Sequence, residues 1–185
     1  TIDLSKLPVG AYVVTELECP GYVIDEAQRI IHLDGNETAQ FVFTNSKLPS
    51  LHLTKISADG SPLAGVTYSL TRIEDGSRYM DQTTSSTGTI VWDGLQPGVY
   101  SLRETDTLSD HILDPKEYHV ELFPGKDGTI VLENDKRPNL TIWKRDGSDE
   151  NTVIPGTVFE VKGIHSGFHT DVTTGEDGKA VLTAL

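Results

Sequence analysis

The sequence predicts an all-β chain of tandem Greek-key β-sandwich domains, with one complete unit flanked by two half-units. Short runs rich in Val, Ile, Thr, Tyr and Phe alternate apolar with polar residues, as half-buried strands do. Turn signals such as Asp-Gly and Pro-Gly separate these runs about every ten residues, a spacing typical of sandwiches. No convincing amphipathic helix occurs, and whole blocks of sequence recur further along the chain.

The recurring blocks define a period. LPVGAYVVTE at residues 7–16 returns as LQPGVYSLRE at residues 95–104. FVFTNSKLPSLHLTK at residues 41–55 returns as IVLENDKRPNLTIWK at residues 130–144. The second copy begins 88 or 89 residues after the first. Such a period is close to one small domain and too long for a solenoid repeat, so the chain is predicted to be an array of one domain type.

The period also gives the domain boundaries. Residues 1–48 correspond to the C-terminal half of one unit, residues 49–137 to a complete unit, and residues 138–185 to the N-terminal half of another. The joints between them are short and end in Pro49 and Pro138, and proline restricts the backbone. We therefore expect an extended rod in which each unit has neighbouring repeats of the same protein as partners.

Within the complete unit, the alternation predicts strands one after another. An antiparallel sandwich of about seven strands is expected from this spacing. The segments that alternate most clearly are residues 51–56, 67–73, 89–92, 99–104, 118–122 and 129–132.

Charge and composition exclude several classes of partner. The 185 residues include 15 Lys and Arg against 28 Asp and Glu, a net charge of −13, so the chain repels nucleic acid and anionic lipid. No apolar run approaches the ~20 residues of a membrane span, so no membrane insertion is expected in this segment. Cys19 is the only cysteine, which excludes an intrachain disulfide. It fits either a reducing compartment or an extracellular protein stabilised by another covalent bond.

Three polar residue types recur on strand faces that are otherwise apolar. Because alternate residues of a strand share a face, Lys55, Glu104 and Asn134 are all predicted to point inward. A buried, unpaired charge is costly, so the three side chains are expected to meet. The same parity holds for their equivalents in the half-units, which are Glu16, Asn45 and Lys144.

Such a cluster has two interpretations. Burial favours the neutral forms of lysine and glutamate. A neutral amine beside an asparagine amide is a nucleophile that faces a carbonyl, and a protonated carboxyl can polarise that carbonyl and shuttle protons. The product would be a Lys–Asn isopeptide bond with loss of ammonia. The other interpretation is a buried ion pair with a capping asparagine, and the spacing alone leaves both open.

The segments LTKISADGSPLAGVTYSL, TGTIVWDGLQPGVYSLRETDTLSDHILD and IVLENDKRP resemble the B-type repeat of the collagen adhesin. This prealbumin-like, Ig-like domain occurs in Gram-positive surface adhesins and pilins. Its pattern is a lysine on the first strand, a Gly-x-Tyr-x-x-x-Glu segment and an asparagine that ends the last strand. The resemblance implies an autocatalytic isopeptide bond between Lys55 and Asn134, with Glu104 as the catalytic proton shuttle.

In the half-units the resemblance implies incomplete versions of the same site. Glu16 would take the catalytic role in the leading half-unit, and Asn45 there and Lys144 in the trailing half-unit would be cross-link residues. Each half holds what the other lacks, so head-to-tail self-association is a further expectation, with a contact that is heterologous. The alternative is that sequence outside this piece of the protein completes each half-unit.

For the whole chain the resemblance implies a structural stalk segment of a bacterial cell-surface adhesin or pilus-like protein, outside the cell at the cell wall. An isopeptide bond would stabilise it as a cross-link over a long loop does, by roughly 4 kcal/mol. The chemistry is intramolecular and single-turnover, so we expect no enzyme in the usual sense and no cofactor. The alternative is a ligand-binding adhesive module that recognises a host matrix protein or glycan.

Other candidate sites are weaker. Only His165 and His169 have a spacing that suggests zinc, and their segment lacks a helical pattern, so no metal site is expected. The acidic turn at residues 146–150 lacks the full set of calcium ligands. We also expect a polar loop rather than a glycosidase carboxylate pair from Asp110, Asp114 and Glu117.

Overall fold

The computed structural model describes residues 8–35 and 40–185, and within them it has fifteen strands and no helix. The all-β prediction is therefore confirmed. Residues 1–7, where the leading copy of the repeat begins, lie outside the described residues. The strands are β1 (Gly10–Thr15), β2 (Tyr22–Ile24), β3 (Gln28–Leu33), β4 (Asn45–Lys47), β5 (Leu51–Ser57), β6 (Thr67–Arg72), β7 (Arg78–Thr83), β8 (Thr89–Trp92), β9 (Gly98–Asp106), β10 (Glu117–Leu122), β11 (Gly128–Asn134), β12 (Leu140–Trp143), β13 (Val158–Lys162), β14 (His169–Thr173) and β15 (Lys179–Leu182).

Seven of these strands, β5 to β11, form two sheets around one core. One sheet has the order β10-β9-β6-β7, and the other has the order β11-β5-β8. Alternate residues of each strand face the opposite sheet, which is the arrangement that the sequence pattern predicts. The buried apolar residues are Leu51, Leu53, Leu63, Val66, Tyr68, Leu70, Ile90, Trp92, Leu95, Tyr100, Leu102, Leu122 and Leu132.

The pairing of the first and last of these strands differs from the antiparallel expectation. β5 and β11 run parallel, and Leu132 lies opposite Lys55. Parallel neighbours need a long crossover, and here β6 to β10 together form that connection. As a result, the chain enters this unit at one end of the strand pair and leaves it at the other end.

Five of the six predicted segments lie within strands, and the sixth, residues 67–73, extends one residue beyond β6; β7 was not predicted. Its sequence, RYMDQT, does not alternate apolar with polar residues. Among the described strands β7 pairs only with β6, so it is an edge strand and buries little surface. Met80 on this strand is 85% exposed, so no apolar face is required there. Charged and polar side chains also protect an edge from pairing with other molecules.

The two half-units repeat parts of this architecture without its core. β1 pairs with β3 so that Gly10 lies opposite Leu33, just as Gly98 of β9 lies opposite Leu122 of β10. In the trailing half-unit β12 pairs with β15, and β13 pairs with β14. None of the described residues before Pro49 is fully buried, whereas the middle unit has a continuous core.

One tyrosine contact is preserved in both the leading and the middle unit. The Tyr100 hydroxyl donates to the Gln96 carbonyl over 2.7 Å, and the Tyr12 hydroxyl donates to the Pro8 carbonyl over 2.6 Å. Each contact fixes the start of a strand, β1 before Glu16 and β9 before Glu104. Over the described part of the chain, no helix has the length and apolar character that a bilayer crossing requires.

Candidate functional site

Lys55, Glu104 and Asn134 meet inside the middle unit. Their strands β5, β9 and β11 come from both sheets, and the three residues are 0%, 7% and 2% exposed. The Lys55 Nζ donates to Asn134 Oδ1 over 2.6 Å and lies 3.1 Å from Glu104 Oε2. The Asn134 Nδ2 donates to Glu104 Oε1 over 2.6 Å. A single carboxyl group therefore contacts both the amine and the amide nitrogen.

The backbone fixes the position of Lys55. Its N–H donates to the Gly88 carbonyl over 2.7 Å, and its own carbonyl accepts from the Leu63 N–H over 2.9 Å. Gly88 has a φ of +72°, and a Cβ at this residue would lie 2.4 Å from the Lys55 carbonyl oxygen. Only glycine fits such a close approach in this conformation.

Two further side chains hold the carboxyl and amide groups in place. The Tyr68 hydroxyl donates to Glu104 Oε2 over 2.9 Å, and Asn134 Nδ2 also donates to Thr107 Oγ1 over 3.0 Å. With two acceptors around its nitrogen and Lys55 at its oxygen, the Asn134 amide has one satisfactory orientation. Burial, together with the nearby Glu104 carboxylate, raises the pKa of Tyr68 far above its usual value. Tyr68 thus remains a hydrogen-bond donor.

In the leading half-unit the structure brings together Glu16 and Asn45. Asn45 Nδ2 donates to Glu16 Oε1 over 2.5 Å, as Asn134 does to Glu104. The other two oxygens, Glu16 Oε2 and Asn45 Oδ1, are buried and have no hydrogen-bond partner among the described residues. In the middle unit the equivalent oxygens both contact Lys55.

Lys144 is placed in the trailing half-unit as Lys55 is in the middle unit. Its N–H donates to the Gly178 carbonyl over 2.8 Å, and its carbonyl accepts from the Ile154 N–H over 3.0 Å. A Cβ at Gly178 would lie 2.8 Å from the Lys144 carbonyl oxygen. Among the described residues, the structure does not bring Lys144 into contact with Glu16 or Asn45.

Sequence reasoning missed a hydrogen-bonded chain beside the middle site. Ser57 Oγ lies 3.1 Å from His111 Nε2, and His111 Nδ1 lies 2.8 Å from Asp110 Oδ1. The order matches a hydrolase triad, but Ser57 and His111 are only 1% and 3% exposed, which leaves no room for a substrate. The three residues instead connect the end of β5 to the loop after β9. Adjacent Asp110 and His111 are the only signal in the sequence.

We expect His111→Ala to lower the free energy of unfolding by about 1–3 kcal/mol, because the Ser57 hydroxyl loses its buried partner. The measurement is urea denaturation followed by the fluorescence of Trp92, which is buried in the same core. His119→Ala is the matched control, since His119 is exposed on β10. Equal midpoints for the two variants would contradict a structural role for His111.

The weaker candidates are explained by local contacts. Glu160, His169 and Asp171 cluster on the exposed β13–β14 hairpin, but Glu160 already pairs with Lys162 over 2.8 Å and with His169 over 2.9 Å. His165 is not part of this cluster. The Asp146 carboxylate accepts from the N–H of Ser148 in the acidic turn. Asp114 and Glu117 have separate partners in Tyr118 and Arg103, and the hydrogen bond from Tyr118 to Asp114, together with burial, raises the pKa of Tyr118 to about 12.

Comparison with solved structures finds similar chains in Gram-positive bacteria. The Bacillus anthracis TIE protein is 26% identical with a TM-score of 0.54, over 95% of this chain and 34% of that chain. A streptococcal ancillary pilin is 21% identical with a TM-score of 0.47, over 96% of this chain and 63% of that one. GBS52, a minor pilin of Streptococcus agalactiae, is 25% identical with a TM-score of 0.43, over 72% of this chain and 63% of that one.

This chain thus spans about a third of the TIE protein and less than two thirds of either pilin. No curated protein matches it. A family model described as the SpaA prealbumin-like fold domain matches residues 49–136, the segment that contains all seven strands of the middle unit. Residues 49–136, which carry the buried Lys55, Glu104 and Asn134, are thus similar to this family of prealbumin-like domains.

Proposed function

We propose that the chain is a structural stalk segment of a bacterial cell-surface adhesin or pilus-like protein. Its middle unit is locked by an isopeptide bond that forms autocatalytically between Lys55 and Asn134. The observation that carries this proposal is the buried contact of one carboxyl group with both the amine and the amide. The match of residues 49–136 to the SpaA prealbumin-like family model supports the location outside the cell.

The contacts suggest the route of the reaction. Glu104 Oε2, at 3.1 Å from Lys55 Nζ, takes a proton and leaves a neutral amine. The amine attacks Asn134 Cγ, a new C–N bond forms, and the bond from Cγ to Nδ2 breaks. Glu104 Oε1, at 2.6 Å from Nδ2, returns this proton to the leaving nitrogen. The attacking nitrogen gives up its second proton as it becomes an amide, and ammonia leaves with that proton as ammonium. These contacts favour proton transfer by Glu104 over polarisation of the amide carbonyl.

Burial and proximity both favour formation of the bond between Lys55 and Asn134. The Lys55 side chain is fully buried, so water is excluded from the reacting groups. The backbone contacts of Lys55 and the β5–β11 pairing hold the reacting groups together, so the reaction gains the high effective molarity of an intramolecular process.

The position of the bond suits a stalk under tension. Force that enters at Leu51 would pass along β5 to Lys55, cross the bond to Asn134 and leave the unit at once. Because β5 and β11 run parallel, this force would load the hydrogen bonds between them in shear. The covalent link would shield the chain between Lys55 and Asn134 from the force. The middle unit would then transmit tension without unfolding.

An intact-mass measurement of the folded chain tests the proposal. We expect a mass lower than the sequence mass by one ammonia, and a branched tryptic peptide that joins β5 to β11. An unmodified mass after prolonged incubation of the folded protein would overturn the isopeptide bond and leave a buried ion pair in its place.

Tyr68→Phe tests the support of the carboxyl group. This variant removes the hydrogen bond to Glu104 Oε2 and keeps the ring in the core. We expect slower ammonia loss in a time course of intact mass after refolding, because the Glu104 oxygen that accepts the Lys55 proton loses its only other hydrogen bond. Tyr79→Phe is the control, since Tyr79 packs against the same core without touching the site. Identical time courses would exclude a positioning role for Tyr68.

A further inference from the structure

An open cavity lies beside the reaction site of the middle unit. Its volume is about 420 Å³, and it is formed by the loop before β10 and the end of β11. One wall includes residues 112–116, and the other wall is made of residues 131–135. Ile112 and Val131 are exposed, so the cavity opens to solvent. Of the three residues of the site, Asn134 is the one that lines this cavity, and it is also the one that loses a nitrogen in the proposed reaction.

Asp114 connects the cavity to the site. Its N–H donates to Glu104 Oε1 over 3.4 Å, and the same oxygen accepts from Asn134 Nδ2 over 2.6 Å. The leaving nitrogen and the cavity wall therefore share one carboxyl oxygen. The side chain of Asp114 is fixed as well, because Oδ2 accepts from the Tyr118 hydroxyl over 2.6 Å and Oδ1 accepts from the Lys116 N–H over 3.0 Å. Asp114 thus joins the reacting groups to the solvent side of the wall.

The charge of the cavity suits a small cation. Three acidic residues, Asp114, Glu133 and Asp135, line it together with one lysine, Lys116. Partial burial acts to raise the pKa of Asp114, but the hydrogen bonds from Tyr118 and from the Lys116 N–H outweigh this effect and hold the pKa below its usual value. Asp114 is therefore ionised at neutral pH. Clefts lined by one sign of charge concentrate ions of the opposite sign, so this cavity favours cations.

The reaction proposed for the middle unit produces such a cation. The charged amine of Lys55 gives up two protons as it becomes an amide, and the nitrogen that leaves Asn134 takes both of them and departs as ammonium. Until it departs, ammonia beside the new amide can attack it and reverse the step. A trapped product has the high effective molarity of any group held in contact. The bond therefore becomes permanent only when the product escapes.

We propose that this cavity is the outlet of the reaction site, through which ammonium leaves, and that the Asp114 carboxylate is the first group to receive it. The inference rests on the isopeptide bond proposed above. Lys55 and Glu104 are buried, so the product must pass a wall of the unit, and Asn134 forms part of the wall at this cavity. Both walls belong to the complete middle unit, which contains every residue that the outlet requires.

Val131→Trp tests the outlet. Val131 lines the cavity and is exposed on β11, so a larger side chain there narrows the opening and leaves the three site residues unchanged. We expect ammonia loss, followed by intact mass after refolding, to become severalfold slower. Val91→Trp is the matched control, because Val91 is exposed on β8, the other edge of the same sheet, and does not line the cavity. Far-UV circular dichroism checks that both variants fold.

Asp114→Asn tests the charge at the outlet. Asparagine can still accept from the Tyr118 hydroxyl and the Lys116 N–H, so the loop keeps its contacts. Ammonium chloride should slow ammonia loss from the wild type more than sodium chloride of the same ionic strength, because added ammonium occupies the cavity. We expect this difference to shrink in Asp114→Asn and to remain in Glu121→Gln, since Glu121 is exposed on β10 outside the cavity. An equal response of the wild type to the two salts would overturn the role of Asp114.

The wild-type mass separates this inference from the function proposed above. Ammonia loss at the same rate in the wild type and in Val131→Trp would overturn the outlet and leave the bond in place. An unmodified wild-type mass would overturn both. Slower loss in Val131→Trp, with an unchanged rate in Val91→Trp, would support the outlet. If Val131→Trp does not refold, the comparison of the two salts decides alone.

Discussion

Lys55→Ala is expected to abolish the ammonia loss within the monomer and to lower the free energy of unfolding of the middle unit by at least about 4 kcal/mol. A cross-link between Lys55 and Asn134 closes a loop across 79 residues, and loop entropy alone gives about 4 kcal/mol for such a loop. The variant also removes the side-chain nitrogen that contacts Glu104 Oε2, and a buried polar atom that loses a partner is destabilising. Both effects act in the same direction.

The measurement uses a background in which the middle unit has its own signal. The chain has two tryptophans, and Trp143→Phe leaves Trp92 as the only one. Because Trp92 is buried in the core, its emission reports the unfolding of this unit in urea. Lys126→Ala is the matched control, since Lys126 is exposed and makes no ion pair among the described residues. Equal midpoints for Lys55→Ala and Lys126→Ala would contradict a cross-link at Lys55.

The fold was predictable where burial dictates the pattern. β5 alternates buried residues with exposed or half-buried ones along its whole length, so its sequence carries a strong signal. β7 gives no such signal because an edge strand with little buried surface is under no comparable constraint. The parallel pairing of β5 with β11 was not predictable either. It depends on which edges meet in three dimensions, and alternation within a strand says nothing about direction.

The site residues on strands were predictable for the same reason. Parity and the period together mark Lys55, Glu104 and Asn134, and the structure places all three in contact. Their supporting residues gave no signal. By sequence, Tyr68 is an ordinary core residue. Its hydroxyl contacts Glu104 only because β6 pairs with β9 in the folded sheet. Thr107 lies in a loop, where no periodicity predicts the direction of a side chain.

In the half-units, too, the sequence predicted the site residues but not their contacts. The repeat identified Glu16, Asn45 and Lys144 as equivalents of the middle site. The two unpartnered oxygens of the leading half-unit could not be read from the sequence, because they depend on the contact that Asn45 makes with Glu16.

Glu104→Gln is expected to leave the middle unit folded but to stop the isopeptide bond from forming. Glutamine has nearly the same shape and can still accept a hydrogen bond from Lys55, so the core around Tyr68 is retained. It cannot take the proton of the amine or return one to the leaving nitrogen. General acid–base catalysis contributes about 10²–10⁴-fold to a rate, so ammonia loss should slow by at least that factor.

Glu104→Gln keeps the shape of the side chain but removes its ability to transfer protons, so this variant tests the role of Glu104. Far-UV circular dichroism of Glu104→Gln should match the wild type, while its intact mass stays at the sequence value during an incubation in which the wild type reacts fully. Glu133→Gln is the matched control, because Glu133 precedes Asn134 on the exposed face of β11. Glu104→Asp keeps the carboxyl group but shortens its reach, so it should react slowly rather than fail. Ammonia loss from Glu104→Gln at the wild-type rate would show that the carboxyl only neutralises Lys55, and the proton route through Oε1 and Oε2 would have to be abandoned.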